Sequence, residues 1–465
     1  MPDPVNVYEI GSPEFNAFFK RMRERADAGG SPTGDVNSRL LARVRESGDS
    51  ELTQFAQQLF EGLHPYAEAT VERILDLVAR QGDVALTQLT RVFDGYPLTS
   101  ATIRVSQKDL DALAQKADPE LLDVCRRDVL PRLMRFHERQ RQESWQLEER
   151  GGSVGIRVQP LQRVALYVPG GKAFYPSSLM MAAVPAKVAG VKEIAVFTPP
   201  GALEQTPLLA ALLKELGISE VYRLGGAQAI AAAAFGTEKV ARVDKIVGPG
   251  SEFVALAKRM VFGRVDIDNV AGPSEVVVLF DGSANAAWVA ADMLAQAEHD
   301  ELAAAVGVTD SAEAAQAVVA ELAKQLASLP REATARRSLQ NFGGIVVAPS
   351  MGFGIRFADT LAPEHLEILT EQAEQHAAQV KNAGAIFVGP YAPEAFGDYC
   401  AGPNHVLPTV GTARFASALS VGDFLRQVSI IRGSAELLAA NRQTILKLAR
   451  AEGLEAHARS VELRS

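Results

Sequence analysis

Cysteine is scarce in this chain: 465 residues carry only Cys125 and Cys400. That excludes a disulfide framework and any Cys-x-x-Cys zinc knuckle, and it suits a reducing compartment with each thiol in a buried role. Excess positive charge is absent too. Lys and Arg number 47 against 56 Asp and Glu, the net charge is −9, and no basic run is long enough to offer nucleic acid a patch. No apolar run approaches the roughly 20 residues of a membrane span, and the amino terminus lacks a basic-then-apolar signal pattern. These absences lead us to expect a soluble, cytoplasmic protein. Its 47% hydrophobic content over 465 residues is ample for two or more domains. The Gly-x-Gly-x-x-Gly dinucleotide fingerprint is also missing.

Residues 1–150 are mostly helical in pattern. Val44-Arg-Glu-Ser-Gly-Asp-Ser-Glu-Leu-Thr-Gln54 is echoed by Val78-Ala-Arg-Gln-Gly-Asp-Val-Ala-Leu-Thr-Gln88, each reading as helix, Gly-Asp turn, helix. A locally duplicated helical hairpin is the simplest account, two copies being too few for a solenoid. Gly29–Gly34 is a linker by composition. Ser106 with Asp109, and Asp118-Pro119-Glu120, look like helix starts, and Pro131 should kink or restart the helix that follows.

From about Gly151, short β-branched runs alternate with Ala/Leu-rich helices. The candidate strands are 164–168, 193–198, 219–224, 245–247, 275–280, 303–308, 344–348 and 385–388. The alternation predicts parallel sheets covered by helices, in two half-sheets with breaks near Gly272 and Gly402. Glycine turns follow three strands, at Pro169–Gly171, Gly225-Gly226 and Gly248–Gly250. One such turn is more often a packing device, but three point towards a nucleotide at the strands' carboxyl ends.

Ser274 sits on a Gly-Pro turn entering an apolar strand, and Gln296 and His299, three apart, share one helical face. Gln296, His299, Asp398 and His457 form an N/O donor set that zinc accepts, although each alone also reads as an ordinary hydrogen-bonding group. Glu364-His365 places an acid beside an imidazole, the side chain best suited to act as a base near neutral pH.

A longer series of motifs carries a family resemblance. Tyr167-Val-Pro-Gly-Gly, Tyr175-Pro-Ser-Ser, Gly225-Gly-Ala-Gln-Ala, Val243-Asp-Lys-Ile-Val-Gly-Pro-Gly, Ala271-Gly-Pro-Ser-Glu, Gln296-Ala-Glu-His-Asp, Pro363-Glu-His-Leu, Gly397-Asp-Tyr-Cys-Ala-Gly-Pro-Asn-His405 and Ala456-His-Ala-Arg-Ser460 run in the order of the histidinol dehydrogenase family. The resemblance spans from about Val71 to the carboxyl terminus and implies a zinc-dependent homodimer that oxidises L-histidinol through an aldehyde to L-histidine with two NAD⁺. It implies zinc on Gln296, His299, Asp398 and His457, one ion per subunit, and acid–base work by Glu364 and His365. It further implies substrate contacts from Ser177, Ser274, His405 and Glu452, shared with His365 and the zinc-binding residues, and NAD contacts from Tyr167 and Gln228. Glu452 and His457 would reach the site across the subunit interface. The chain departs from the family at Ser251-Glu252, where an asparagine usually touches the cofactor.

The fold class expected is α/β, with two Rossmann-like domains of parallel-rich sheet plus helical terminal segments. A helical extension over 1–65 precedes a first unit built from 66–162 with 273–417, which carries much of the zinc and acid–base site. The NAD-binding unit covers 163–272 and a dimerisation tail covers 418–465. Two alternatives remain at this point: a paralogue acting on another small alcohol such as a sulfonated propanediol, and a non-catalytic zinc-binding relative.

Overall fold

Runs such as Glu275–Phe280 and Ala304–Thr309 are buried along their whole length, so they need cover on both faces. The computed structural model describes residues 3–25, 34–61, 67–170 and 176–464. Most of the 29–34 linker, Gly62, His64, Gly171 and Tyr175 lie outside the described residues.

The strands are β1 (Val7–Glu9), β2 (Trp145–Glu149), β3 (Gly152–Pro160), β4 (Arg163–Tyr167), β5 (Glu193–Thr198), β6 (Glu220–Arg223) and β7 (Lys245–Val247). They continue with β8 (Asp266–Ile267), β9 (Glu275–Phe280), β10 (Ala304–Thr309), β11 (Gly344–Val347), β12 (His365–Leu369), β13 (Ala385–Val388) and β14 (Leu425–Gly433). Two all-parallel sheets result, one ordered β6-β5-β4-β7-β8 and the other β1-β11-β10-β9-β12-β13. The strand order reverses between β4 and β7 in the first and between β9 and β12 in the second. A third, antiparallel sheet, β14-β3-β2, is largely exposed.

The duplicated segment forms two helical hairpins, 34–46 with 50–60 and 67–81 with 83–94. Gly48 and Gly82 both take positive φ, +72° and +52°, the turn conformation that favours glycine. The two aspartates have diverged in role. Asp49 caps its helix, accepting from Leu52 N at 2.9 Å. Asp83 instead accepts from Ser100 Oγ and Thr237 Oγ1, both at 2.7 Å, and so ties the second hairpin to the loop after helix 226–235.

Both hairpins bury their apolar faces in the core beneath the five-stranded sheet, and residues 105–133 pack on its other face. Of the 66–162 segment expected with the 273–417 unit, residues 67–134 instead share their cores with the strands and helices of 164–265. The first residues are not purely helical either. Strand β1 adds an edge to the six-stranded sheet, and helix Pro13–Glu24 covers it through Phe15, Phe18 and Met22.

A buried ion pair fixes the turn after β7. Lys258 and Asp268 are each 2% exposed in their side chains and meet directly. Asp268 accepts from Gly248 N at 2.7 Å, and Lys258 Nζ donates to Gly248 O at 3.0 Å. Gly248 has φ +123°, and a Cβ there would lie 2.2 Å from the Tyr167 carbonyl oxygen, so only glycine fits. Lys258→Met, which strands a buried carboxylate, is expected to lower stability by about 3–5 kcal/mol in denaturant titration. A loss below about 1 kcal/mol would show that the pair does not hold the turn.

Candidate active site

Strands β9 and β12 pair in register, His365 opposite Val276, and their amino ends carry Ser274-Glu275 and Glu364-His365 side by side. Helix 351–361 stops at Ala362, a non-glycine residue at φ +50°, and Pro363 then turns the chain into Glu364. The acid–imidazole pair thus lies at strand amino ends, whereas ligand sites were expected at carboxyl ends.

Glu364 is 6% exposed and accepts from Glu275 N at 3.0 Å. Burial pushes its carboxyl up to about 8; the Glu275 N–H and the Ser274 hydroxyl oppose that rise, while the Glu275 and Asp398 charges add to it. His365 Nδ1 stands 3.3 Å from the Glu275 carbonyl oxygen and 3.2 Å from Gln296 Oε1. Both partners are acceptors, so Nδ1 carries the proton and Nε2 keeps its lone pair. Burial lowers this imidazole to about 3.

His405 is arranged in the same way. Its Nδ1 donates to the Asp398 carbonyl oxygen at 3.1 Å, and burial lowers it to about 4. The preceding Asn404 anchors the loop, donating to Met181 O at 2.7 Å and accepting from Val406 N at 2.9 Å.

Among the described residues, the His/Cys/Asp/Glu group able to hold a metal is His299, Glu394 and Asp398, with ligand atoms all within 4.8 Å of one another. Burial raises Glu394 well above the usual carboxylate range and pushes Asp398 up to about 6, and it lowers His299. Gln296 is fully buried one helical turn before His299 and touches His365. Gln296 Nε2 and Glu394 Oε2 are buried without a hydrogen-bond partner. Crowded carboxylates, an imidazole and orphaned polar atoms fit a divalent cation with N/O preference. Glu394 was not anticipated from sequence, although it stands four residues before Asp398 on the same short helix, 394–399. Its backbone N–H donates to Glu367 Oε1 at 2.6 Å, which fixes the start of that helix.

Other anticipated residues lie apart from this group. Glu452 caps helix 435–451 and His457 rides exposed on helix 455–462, and neither joins the metal group of this chain. Ser177 occupies the first turn of helix 176–189.

The cofactor candidates gather at the carboxyl end of the five-stranded sheet. Tyr167 ends β4; its hydroxyl accepts from Gly226 N at 3.1 Å, and burial pushes it up to about 12. Gln228, 2% exposed, donates to Asp94 Oδ2 at 3.4 Å. Asp94, also unforeseen, is pushed up to about 6 by burial. Ser251 stands exposed at the cap position of helix 252–261, and its side chain makes no capping bond. Glycines at φ +62° (Gly226) and +123° (Gly248) leave the backbone bare beside Tyr167, which suits a nucleotide at the β4/β7 reversal.

Comparison with known proteins places the chain among its relatives. A family model described as histidinol dehydrogenase matches residues 60–465. The histidinol dehydrogenase of Moorella thermoacetica is 50% identical over 402 residues, covering 85% of this chain and 94% of that one. That of a Synechococcus species is 46% identical over 430 residues, covering 92% and 98%. The crystal structure of histidinol dehydrogenase from Elizabethkingia anophelis aligns with a TM-score of 0.82 at 29% identity, covering 100% of this chain and 98% of that one.

The hydrogen bonding predicts an Nδ1–H tautomer for His365 that persists down to pH 5. Imidazole nitrogen NMR checks this directly. A proton on Nε2, or titration near pH 6.5, would contradict it.

Proposed function

The chain belongs to the histidinol dehydrogenase family, and on that premise we propose that it converts L-histidinol through L-histidinaldehyde to L-histidine. The overall change is RCH₂OH + 2 NAD⁺ + H₂O → RCOO⁻ + 2 NADH + 3 H⁺. The observation that carries the reading is a neutral His365, its Nε2 free, beside Glu364 and the His299/Glu394/Asp398 group.

Gln296, His299 and Asp398, together with the partner subunit's His457, would hold one Zn²⁺, and Glu394 belongs to the same donor group. When bound, the ion supplies a Lewis-acidic anchor for the substrate's amine and imidazole nitrogens and so orients the carbinol. Tyr167, Gln228 and the Gly248–Ser251 turn would hold NAD⁺, the hydride acceptor of both oxidations. Ser177, Ser274, His405 and the partner subunit's Glu452 would line the rest of the substrate's path.

His365 Nε2 takes the hydroxyl proton in the first oxidation, and Glu275 O and Gln296 keep the ring in the correct tautomer. In the second oxidation Glu364 draws a proton from water at the aldehyde. Its carboxyl, pushed up to about 8, can release and accept a proton near neutral pH.

A homodimer is supported by the exposed apolar side chains of Trp145, Leu147, Ile431, Leu448, Leu454 and Leu463 on the antiparallel sheet and the terminal helices. Two free cysteines suit the cytoplasm, and no described helix is long and apolar enough to cross a membrane.

NADH yield tests the reading. Two NADH per L-histidinol are expected, and a chelator should abolish them. His365→Asn should slow both oxidations by roughly 10²–10⁴. Glu364→Gln should chiefly slow aldehyde oxidation and flatten its rise with pH, because ionised Glu364 accumulates as pH climbs towards about 8. Unchanged rates in both variants would overturn the assignment.

A further inference from the structure

Arg25 closes helix Pro13–Glu24, ahead of the stretch 60–465 that the family model matches. Its side chain is 1% exposed, and its guanidinium reaches two segments of the active-site framework, 273–275 and Leu302. Nε donates to Leu302 O at 2.8 Å, Nη1 to Glu275 Oε2 at 2.7 Å, and Nη2 to Pro273 O at 2.6 Å and Ser274 O at 2.7 Å. Glu275 relays the grip. Its other oxygen accepts from Val410 N at 2.9 Å, holding a β-branched residue at φ +54° a few positions beyond His405. Its N–H meets Glu364 and its carbonyl meets His365.

A planar fork with donors in fixed directions satisfies several acceptors at once, which a lysine ammonium does not reproduce. Cutting it would leave the Glu275 carboxylate buried beside Glu364, and the 273–275 turn would lose three of its anchors at once.

We propose that Arg25 is a positioning residue for the dehydrogenase reaction: by clamping residues 273–275 and Leu302, it sets Ser274, Glu364 and His365 in register through Glu275. Arg25 touches neither the candidate base nor the candidate metal group; it acts through Glu275. The amino-terminal helix thereby becomes part of the catalytic frame as well as cover for a sheet. The inference rests on the proposed histidinol oxidation.

Arg25→Lys and Arg25→Met, assayed as full-length holoenzyme alongside wild type, test it. Rates are expressed per folded molecule, from circular dichroism, well below each variant's unfolding temperature. For both variants we expect kcat for histidinol and for the aldehyde to fall by roughly 10²-fold, the worth of an ångström-scale misplacement. KM for NAD⁺ should stay within about twofold, since its candidate residues sit on the other sheet, and guanidinium ion should partly restore Arg25→Met. Arg25→Lys serves alone if Arg25→Met does not fold. Lowered thermal stability with unchanged kcat, or wild-type kcat in Arg25→Lys, overturns the proposal. Should wild type itself release no NADH from L-histidinol, the reading beneath it fails, a separate outcome.

Discussion

Withdrawal of carboxyl groups from water is the constraint on which this structure turns. Glu275, Glu364 and Glu394 are all less than a tenth exposed, and Asp398 lies close by. A buried carboxylate is costly unless it is paired, hydrogen-bonded or protonated. The chain uses each remedy in turn. Arg25 pairs Glu275, backbone and hydroxyl donors support Glu364, and the rest are pushed towards their neutral forms or towards a cation. The same burial keeps His365 and His405 uncharged, and a neutral imidazole is what proton abstraction requires.

The fold divides these tasks between two sheets whose strand orders reverse at β4/β7 and β9/β12. Bare glycine turns at the carboxyl end of the first leave room for a nucleotide. At the second reversal the candidate acid–imidazole pair occupies the amino ends, because Pro363 and Pro273 introduce the strands with Glu364-His365 and Ser274-Glu275 already facing one another. Parallel register between β9 and β12 thus places these candidate groups on rigid elements.

Much of the fold was legible. Strands β4, β5, β7, β9 and β13 follow β-branched runs whose bounds in the sequence lie within about a residue of the structure. The Gly-Asp repeat marked two real hairpins. Strand β1 was not legible, since three residues at a sheet edge carry almost no periodicity. Strand β12 was hidden because Glu367 interrupts its apolar run, a buried carboxyl to which tertiary packing supplies Glu394 N as a donor and which burial and Asp292 push well above the usual carboxylate range. In the site, the three-residue spacing of Gln296 and His299 was visible, but the helix expected to carry both ends at Ala297, and His299 stands in the turn just beyond its cap. Arg25 meets Glu275 across 250 positions, and no local pattern encodes such a contact. Glu394 has the four-residue spacing to Asp398, but its burial is decided by elements far away in the chain.

The most direct test of a cation-balanced acidic site is crystallography of the zinc-loaded full-length protein, with diffraction recorded on both sides of the zinc absorption edge. One anomalous peak per subunit is expected among His299, Asp398 and Gln296, with N and O ligands at roughly 2.0–2.2 Å. A second chain should complete the shell through the partner subunit's His457. A peak elsewhere, or a shell closed without His299 and Asp398, would contradict it.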